Sequence, residues 1–365
     1  MGHGQTAGKG EESVFGNSMR IAAAMIGTTI GAGFASGREV WQFFSIFGPS
    51  GTAGLMLFMI LFFISNVILM DISRRRRRDN YFLLLQDLLG PFGAKVFDLW
   101  IGFYLFTGTA VMMAGSGAAL AKFGLPFSWG VIMLAVMVGF VLLYQINGLL
   151  GVNLVLMPFL LGILILVCVL YINRQQPTAD APAVLLQGAV NPYASAVAYT
   201  ASNLMALFGV MSALAQRVER RSEIWLGSFL GAAGLGGTAL LIHLSLMRTP
   251  LETLSMAEIP LYALVHTINP WLENIVAICI WMAIFTTAIS GVFTLTARIR
   301  EQIALPNGLI SFLLIAGMMP LSYFGFATLV KILYPLYGIV NSFLLAALLM
   351  YQVKRMLGTE DGSKP

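Results

Sequence analysis

The chain has 365 residues, 58% of them hydrophobic and 10% charged, with a formal net charge of +5 and a mean hydropathy of +0.84. A soluble domain carries about 25% charged residues, so this chain cannot cover a water-facing surface, and its pI of 9.3 reflects basic loops beside a membrane rather than a nucleic-acid partner. The two cysteines, Cys168 and Cys279, fall in mid-span positions, which excludes a disulfide framework and a thiolate metal site.

Leaving His aside, the charged residues leave uncharged runs at 21–37, 40–70, 99–121, 123–173, 181–216, 224–247, 274–297, 302–330 and 332–353. Roughly 20 apolar residues cross a bilayer as a helix. Each run therefore holds one span, except 123–173, whose 51 residues have to fold back once. The fold class is an all-α polytopic membrane protein with ten transmembrane helices. A membrane β-barrel would need alternating polar positions, and residues 160–170 do not alternate.

In chain order, residues 1–17 are polar and Gly-rich and read as a cytoplasmic tail without a signal peptide. The first helix is predicted over 18–46. It carries four glycines within eleven residues at mid-span, Gly27, Gly31, Gly33 and Gly37, followed directly by Arg38 and Glu39. Each Gly costs about 1 kcal/mol relative to Ala in a helix interior, so the pattern predicts local unwinding. Close packing of helices through small residues explains Gly27 and Gly31 equally well. Helices follow at 51–73, 95–121, 127–146 and 149–173. The arginines at 74–78 read as a topology determinant, with a specific lipid site as the alternative, and the fifth helix contains no charged residue before Arg174.

An outer connection at 174–192 leads to a sixth helix at 193–215. That helix carries the polar run Tyr199, Thr200, Ala201, Ser202 and Asn203 at mid-depth, then Gly209, and is expected to be interrupted like the first. The seventh helix, 223–247, precedes an outer connection at 248–270 in which 252–268 forms short helices. Asn-Pro pairs at 191–192 and 269–270 mark helix starts. The eighth helix, 271–300, carries Ala283, Thr286, Thr287 and Ser290. The ninth is 308–323, the tenth is 326–352 with Lys331 inside it, and 353–365 is a second tail.

With ten spans both ends lie on one side. That side receives sixteen Lys and Arg residues, against Lys122, Arg174 and Arg248 on the other, which puts both termini in the cytoplasm. Ten helices split five plus five, and odd-numbered halves, 18–173 and 193–352, insert with opposite orientation. This is the arithmetic of an inverted repeat.

Two five-helix halves with interrupted first helices resemble the LeuT fold of the amino acid/polyamine/organocation superfamily. The stretch GTTIGAG at 27–33 has the Gly-x-x-x-Gly-x-Gly form of its sodium-coupled members, and the string GTTIGAGFASGREVWQFF at 27–44 is similar to YkvI-type bacterial membrane proteins. The resemblance covers 18–352. It implies a secondary active transporter, not an enzyme, importing an amino acid or amino-acid derivative across the bacterial cytoplasmic (inner) membrane by alternating access. Half-helix ends at the bilayer centre offer bare N–H groups and bare carbonyls. The substrate carboxylate is expected on the N–H groups of Gly31, Ala32 and Gly33, and its ammonium on carbonyls near Ile30 and at 200–205.

The resemblance also implies a Na+ site made of the Thr286 and Thr287 hydroxyls with the carbonyls of Gly27, Ile30 and Ala283. A second sodium site is not expected, because Phe34 stands at its side-chain amide position. No organic cofactor is implied. For the threonines, bonding of their own helix carbonyls stays an open reading. Proton coupling is the competing mechanism, with Glu39 the titratable group in the bundle. Family members pair an Arg of the first helix with an acid of the tenth as an outer gate. The tenth helix here offers only Lys331, so the expected gate is a charge-swapped Glu39–Lys331 contact with Arg38 pairing elsewhere; snorkelling of Arg38 and Lys331 to the interface is the alternative. The pocket for the substrate side chain is expected from Phe34, Tyr104, Thr109, Tyr199, Ser202, Asn203 and Phe208. His243 and His266 have no metal-ligand spacing and are given no role. A channel or a sensor on the same scaffold is the other functional class, and no clustered acid, base, nucleophile or metal set points to an enzyme.

Overall fold

The computed structural model describes residues 4–77, 81–143, 149–174, 191–300, 303 and 305–357. Apart from turns, these residues are helical. The first predicted span is built from three pieces: α1 (Gly4–Thr29), α2 (Ala32–Ala35) and α3 (Arg38–Phe43). A 3-10 turn at Ser45–Ser50 leads into α4 (Gly51–Arg76). Then come α5 (Tyr81–Ala121), α6 (Phe127–Leu143), α7 (Leu149–Arg174), α8 (Pro192–Ala215) and α9 (Arg221–Leu246). The connection between α9 and the next long helix contains α10 (Leu251–Met256) and α11 (Pro260–His266). The chain continues through α12 (Pro270–Arg300), α13 (Asn307–Ser322) and α14 (Phe326–Met356).

Among the described residues six helical stretches are long and apolar enough to cross a membrane: Ser45–Arg76, Tyr81–Ala121, Pro192–Ala215, Arg221–Leu246, Trp271–Arg300 and Phe326–Met356. Phe127–Leu143, Pro158–Arg174 and Asn307–Ser322 are shorter apolar helices. The protein is thus a multi-pass membrane protein.

Several helix ends follow their sequence signals. Asn191 caps α8 by accepting from the Ala194 N–H at 2.7 Å, with Pro192 in the first turn where its missing N–H costs nothing. The Asn269 side chain accepts from the Trp271 N–H at 2.8 Å at the start of α12. The short outer helices expected in 252–268 are α10 and α11. Other boundaries differ. Helix α1 begins at Gly4 rather than 18, and α5 begins at Tyr81 rather than 95. The latter bends at Gly90, whose φ of 73° is in the left-handed region, just before Pro91. Most of the outer connection at 174–192 lies outside the described residues.

One expectation is overturned. Helix α8 runs unbroken from Pro192 to Ala215, whereas an interruption was expected in it. The polar side chains of its 200–212 stretch bond the helix's own carbonyls: Thr200 bonds Ala196 O at 2.8 Å, Ser202 and Asn203 both bond Tyr199 O, and Ser212 bonds Phe208 O. Such i−3 and i−4 back-bonding needs an intact helix. A single glycine, Gly209, does not offset it.

The helices pack as two groups of four. In one, α1 lies along α9 and α8, and α4 lies along α8 and α9. In the other, α5 packs on α6, α12 and α13, α6 on α13, and α12 on α13. Helix α14 connects α8 to α5, and α7 connects α9 to α12. Glycines on α9 let the first group close up: a Cβ on Gly227 would come within 2.6 Å of Ile21, one on Gly231 within 2.8 Å of the Met25 sulfur, and one on Gly236 within 2.1 Å of Met59.

Candidate functional site at the broken helix

Helix α1 stops at the glycine cluster. Ile30 still bonds Ile26 O at 2.8 Å, but Gly31 turns extended, with φ −105° and ψ −172°, and its N–H reaches only back to Thr29 O at 3.0 Å. After the four residues of α2, Gly37 takes a φ of 75°, which glycine alone adopts without strain, and α3 restarts at Arg38. The expected interruption of the first helix is therefore present, at Ile30–Gly31 and again at Ser36–Gly37. The Thr29 hydroxyl at the break is buried and has no hydrogen-bond partner.

The two consecutive charges after Gly37 diverge. Glu39 turns inward and lays its carboxyl on Gly33, so closely that a Cβ on Gly33 would come within 2.1 Å of Glu39 Oε1. The Tyr199 hydroxyl of α8 donates to Glu39 Oε2 at 2.9 Å, and the Tyr334 hydroxyl of α14 and the Phe34 backbone N–H also hydrogen-bond this carboxyl. Tyr199 is held by rings of Phe43, Phe44 and Phe58, with centroids 4.9, 5.2 and 4.8 Å away. Glu39 therefore fills the space beside Gly33 that was expected to receive a substrate carboxylate.

Arg38 turns the other way. Its Nη1 donates to Ala257 O at 3.2 Å, and it feels the charge of Glu258 on the same loop. Glu258 Oε2 in turn accepts from the Ala327 N–H at 2.6 Å, capping the start of α14. The Leu261 N–H at the head of α11 donates to Ser36 O at 3.0 Å, a carbonyl freed by the bend at Gly37. The loop that carries α10 and α11 is thus fastened both to the α2–α3 arm and to α14.

The expected Glu39–Lys331 contact is not made in this structure. Lys331 is exposed on α14, while Tyr334, one turn further along, is the residue of that helix that reaches Glu39.

The remaining expected residues divide. Phe34, Tyr199, Asn203 and Phe208 are buried in the core, and Ser202 is half-buried. Tyr104 is half-buried with its ring 4.8 Å from that of Tyr337, whose hydroxyl bonds Thr107 at 2.7 Å. Thr109 bonds Leu105 O, and its hydroxyl covers Gly291 so closely that no Cβ would fit there, at the α5–α12 contact. In the expected sodium set, Gly27 lies in α1 and Ile30 just after it, while Ala283, Thr286 and Thr287 lie on α12, which packs against α2. The Thr286 and Thr287 hydroxyls both donate to Ala283 O, at 3.2 and 2.8 Å, which leaves their oxygen lone pairs available. His243 is a buried structural link, with Ser45 on one ring nitrogen at 2.9 Å and Thr52 on the other at 3.2 Å. Tyr334 and Glu258 were not anticipated.

No family model matches the chain. The uncharacterized protein YyaD of Bacillus subtilis (strain 168) is 30% identical over 335 residues, which span 92% of this chain and 97% of YyaD. The uncharacterized membrane protein YkvI of the same organism is 27% identical over 93% of this chain and 97% of its own length. Among solved structures, the inward-facing conformation of Mhp1 superposes with a TM-score of 0.60 at 12% identity, over 93% of this chain and 77% of that chain. The fold shared with Mhp1 is of the LeuT type. With nearly the whole of both sequences aligned at 30% identity, the chain belongs to the family of YyaD.

Proposed function

We propose that this protein is a secondary active transporter that imports an amino acid or amino-acid derivative by alternating access, with Na+ as a coupling ion. The observation that carries this reading is the break of the first helix at Ile30–Gly31, inside the packed bundle, beside a buried hydroxyl without a partner. Broken backbone at membrane depth is tolerated where it lines a binding site. Mhp1, whose fold is shared, is a nucleobase-cation-symport-1 family transporter, which supports transport as the function class.

We further read the chain as ten transmembrane helices in a five-plus-five inverted repeat with both termini cytoplasmic. The packing supports this. Counting the broken α1–α3 unit as the first span, each four-helix group takes two consecutive spans from each half, and α7 and α14 connect the groups in exchanged fashion. The charge pairs support the orientation. Asp71 meets Arg75, Arg221 and Arg355, and Asp98 meets Arg298, at the ends assigned to the cytoplasm, whereas Lys122 pairs with Glu273 at the opposite end.

Substrate entry requires the Glu39 carboxyl to leave Gly33 or to share the site. Na+ would take oxygen ligands from Gly27, Ile30, Ala283, Thr286 and Thr287, a hard donor set suited to it. The test is thermal unfolding of the purified protein against an amino-acid panel with and without NaCl. A ligand at about 100 times its Kd stabilises by about 2.7 kcal/mol. Stabilisation by particular amino acids only when Na+ is present is the expected result; indifference to all of them and to Na+ overturns the proposal.

A further inference from the structure

We propose that Glu39 is a proton-binding residue of the transport cycle, a coupling site separate from the Na+ set on α12. Its role in the cycle rests on the transporter reading above; the binding of a proton does not.

The geometry is that of a carboxyl sealed among neutral partners. Glu39 is 7% exposed. From α2 it meets Gly33 and the Phe34 N–H, from α8 the Tyr199 hydroxyl, and from α14 the Tyr334 hydroxyl; Tyr104 of α5 lies within electrostatic reach. The two cations that might have been its counter-ions point elsewhere: Arg38 on its own helix bonds Ala257 O in the outer loop, and Lys331 of α14 is exposed. Glu258, the acid beside Arg38, is engaged with the α14 start. Among the described residues Glu39 therefore has no ionic partner.

A carboxylate moved into a protein interior without a counter-ion costs several kcal/mol. A proton is the one cation that removes this cost without needing space, and the packing on Gly33 leaves none for a larger ion at Oε1. Three donors aimed at the carboxyl make the anion tolerable as well, and the tyrosine oxygens can accept from the acid's O–H. Both states are thus accommodated by the same residues. The carboxyl also joins α2, α8 and α14, so movement of the broken helix relative to α14 exposes it to water. In deprotonation the carboxyl O–H bond breaks and the proton passes to a water on the open side, leaving the carboxylate to the Tyr199, Tyr334 and Phe34 donors. Reprotonation draws on water of the opposite side.

Two measurements test this on the full chain in lipid. In nanodiscs, infrared spectra from acidic to alkaline pH should show a carbonyl band of a water-shielded carboxylic acid that disappears as pH rises. The band should be missing in Glu39→Gln and displaced in Tyr199→Phe. A titrating band unchanged in Glu39→Gln, or no such band in the wild type, overturns the proposal; circular dichroism confirms that the near-isosteric variant is folded. In proteoliposomes, with a radiolabelled mixture of the standard amino acids as probe, an inward proton gradient should raise wild-type uptake several-fold. Glu39→Gln should lose that response, the ratio of its uptake with the gradient to its uptake without one falling to about 1. An equal response in both removes the coupling role. If neither transports any amino acid, the substrate reading fails, while the infrared result still decides whether Glu39 binds the proton.

Discussion

Removing the carboxylate of Glu258 should open the outer face without unfolding the protein. This side chain caps the Ala327 N–H of α14 and attracts Arg38, which holds the loop through Ala257 O. Loss of an N-terminal cap costs about 1 kcal/mol, and loss of a negative charge at a helix start costs a further 0.3–1 kcal/mol, roughly. The Ala327 contact is exposed, so the lower part of the range applies. A total of about 1.4 kcal/mol is a tenfold change in an equilibrium. Because α10 and α11 are fastened to α3 and α14 by these few contacts, most of that change should appear in opening of the loop. The reporter is Ser36→Cys, a near-isosteric thiol under α11, in a background with Cys168 and Cys279 replaced; the Leu261 N–H bonds the Ser36 main-chain carbonyl, so this lock survives the reporter. Labelling by an impermeant maleimide should be about tenfold faster in Glu258→Ala. An unchanged labelling rate, with or without a fall in Tm, would refute the assignment of Glu258 to the outer closure.

Gly33→Ala drives the Glu39 carboxyl off its seat, because the new Cβ would lie 2.1 Å from Oε1. Since that atom ends a flexible side chain, Tm should fall little while transport and the infrared band of Glu39 both change; a variant with wild-type transport contradicts the site. Thr286→Ala with Thr287→Ala should abolish Na+-dependent stabilisation, and the lost bonds to Ala283 O should lower the Na+-free stability by only about 0.5–1.5 kcal/mol each. Persisting Na+ dependence would remove these hydroxyls from the ion site. Gly231→Leu should destabilise by at least 1–3 kcal/mol, roughly the cost of overpacking, since even a Cβ there meets the Met25 sulfur at 2.8 Å; unchanged thermal unfolding would show that α1 and α9 are less closely packed than described.

What could be read from the residues and what could not follows from range. Four glycines in eleven residues announce a broken helix because the cost is local, and Asn191 and Asn269 announce helix starts because each bonds an N–H two or three residues on. The continuity of α8 was misread from the same kind of local evidence. A polar run at mid-depth is compatible with unwinding or with back-bonding, and Thr200, Ser202 and Asn203 choose the second. The partners that Arg38 and Glu39 take in this structure are hidden in the sequence for a different reason. Charge is visible in a sequence, but direction along a helix is not: Lys331 faces outward, and Tyr334 reaches the carboxyl. The Glu258 contact with Ala327 spans 69 residues and joins a loop to a helix start, so no spacing rule points to it.

The divergence of Arg38 and Glu39 links the two ends of the site mechanically. Successive residues on a helix project about 100° apart, and Gly37, by resetting the chain, makes both the opening residues of α3. One side chain then holds the outer loop through Ala257 O, and the other holds α8 and α14 at the helix break. Because α3 is six residues long and packed at both positions, it cannot release one contact without loading the other. Arg38→Ala and Glu39→Gln should accordingly be non-additive in the Ser36→Cys labelling rate, with an interaction of about 0.5–3 kcal/mol, the range for residues that share a structural element. Strict additivity would mean that the outer loop and the buried carboxyl move independently, and α3 would then be a spacer rather than the connection between them.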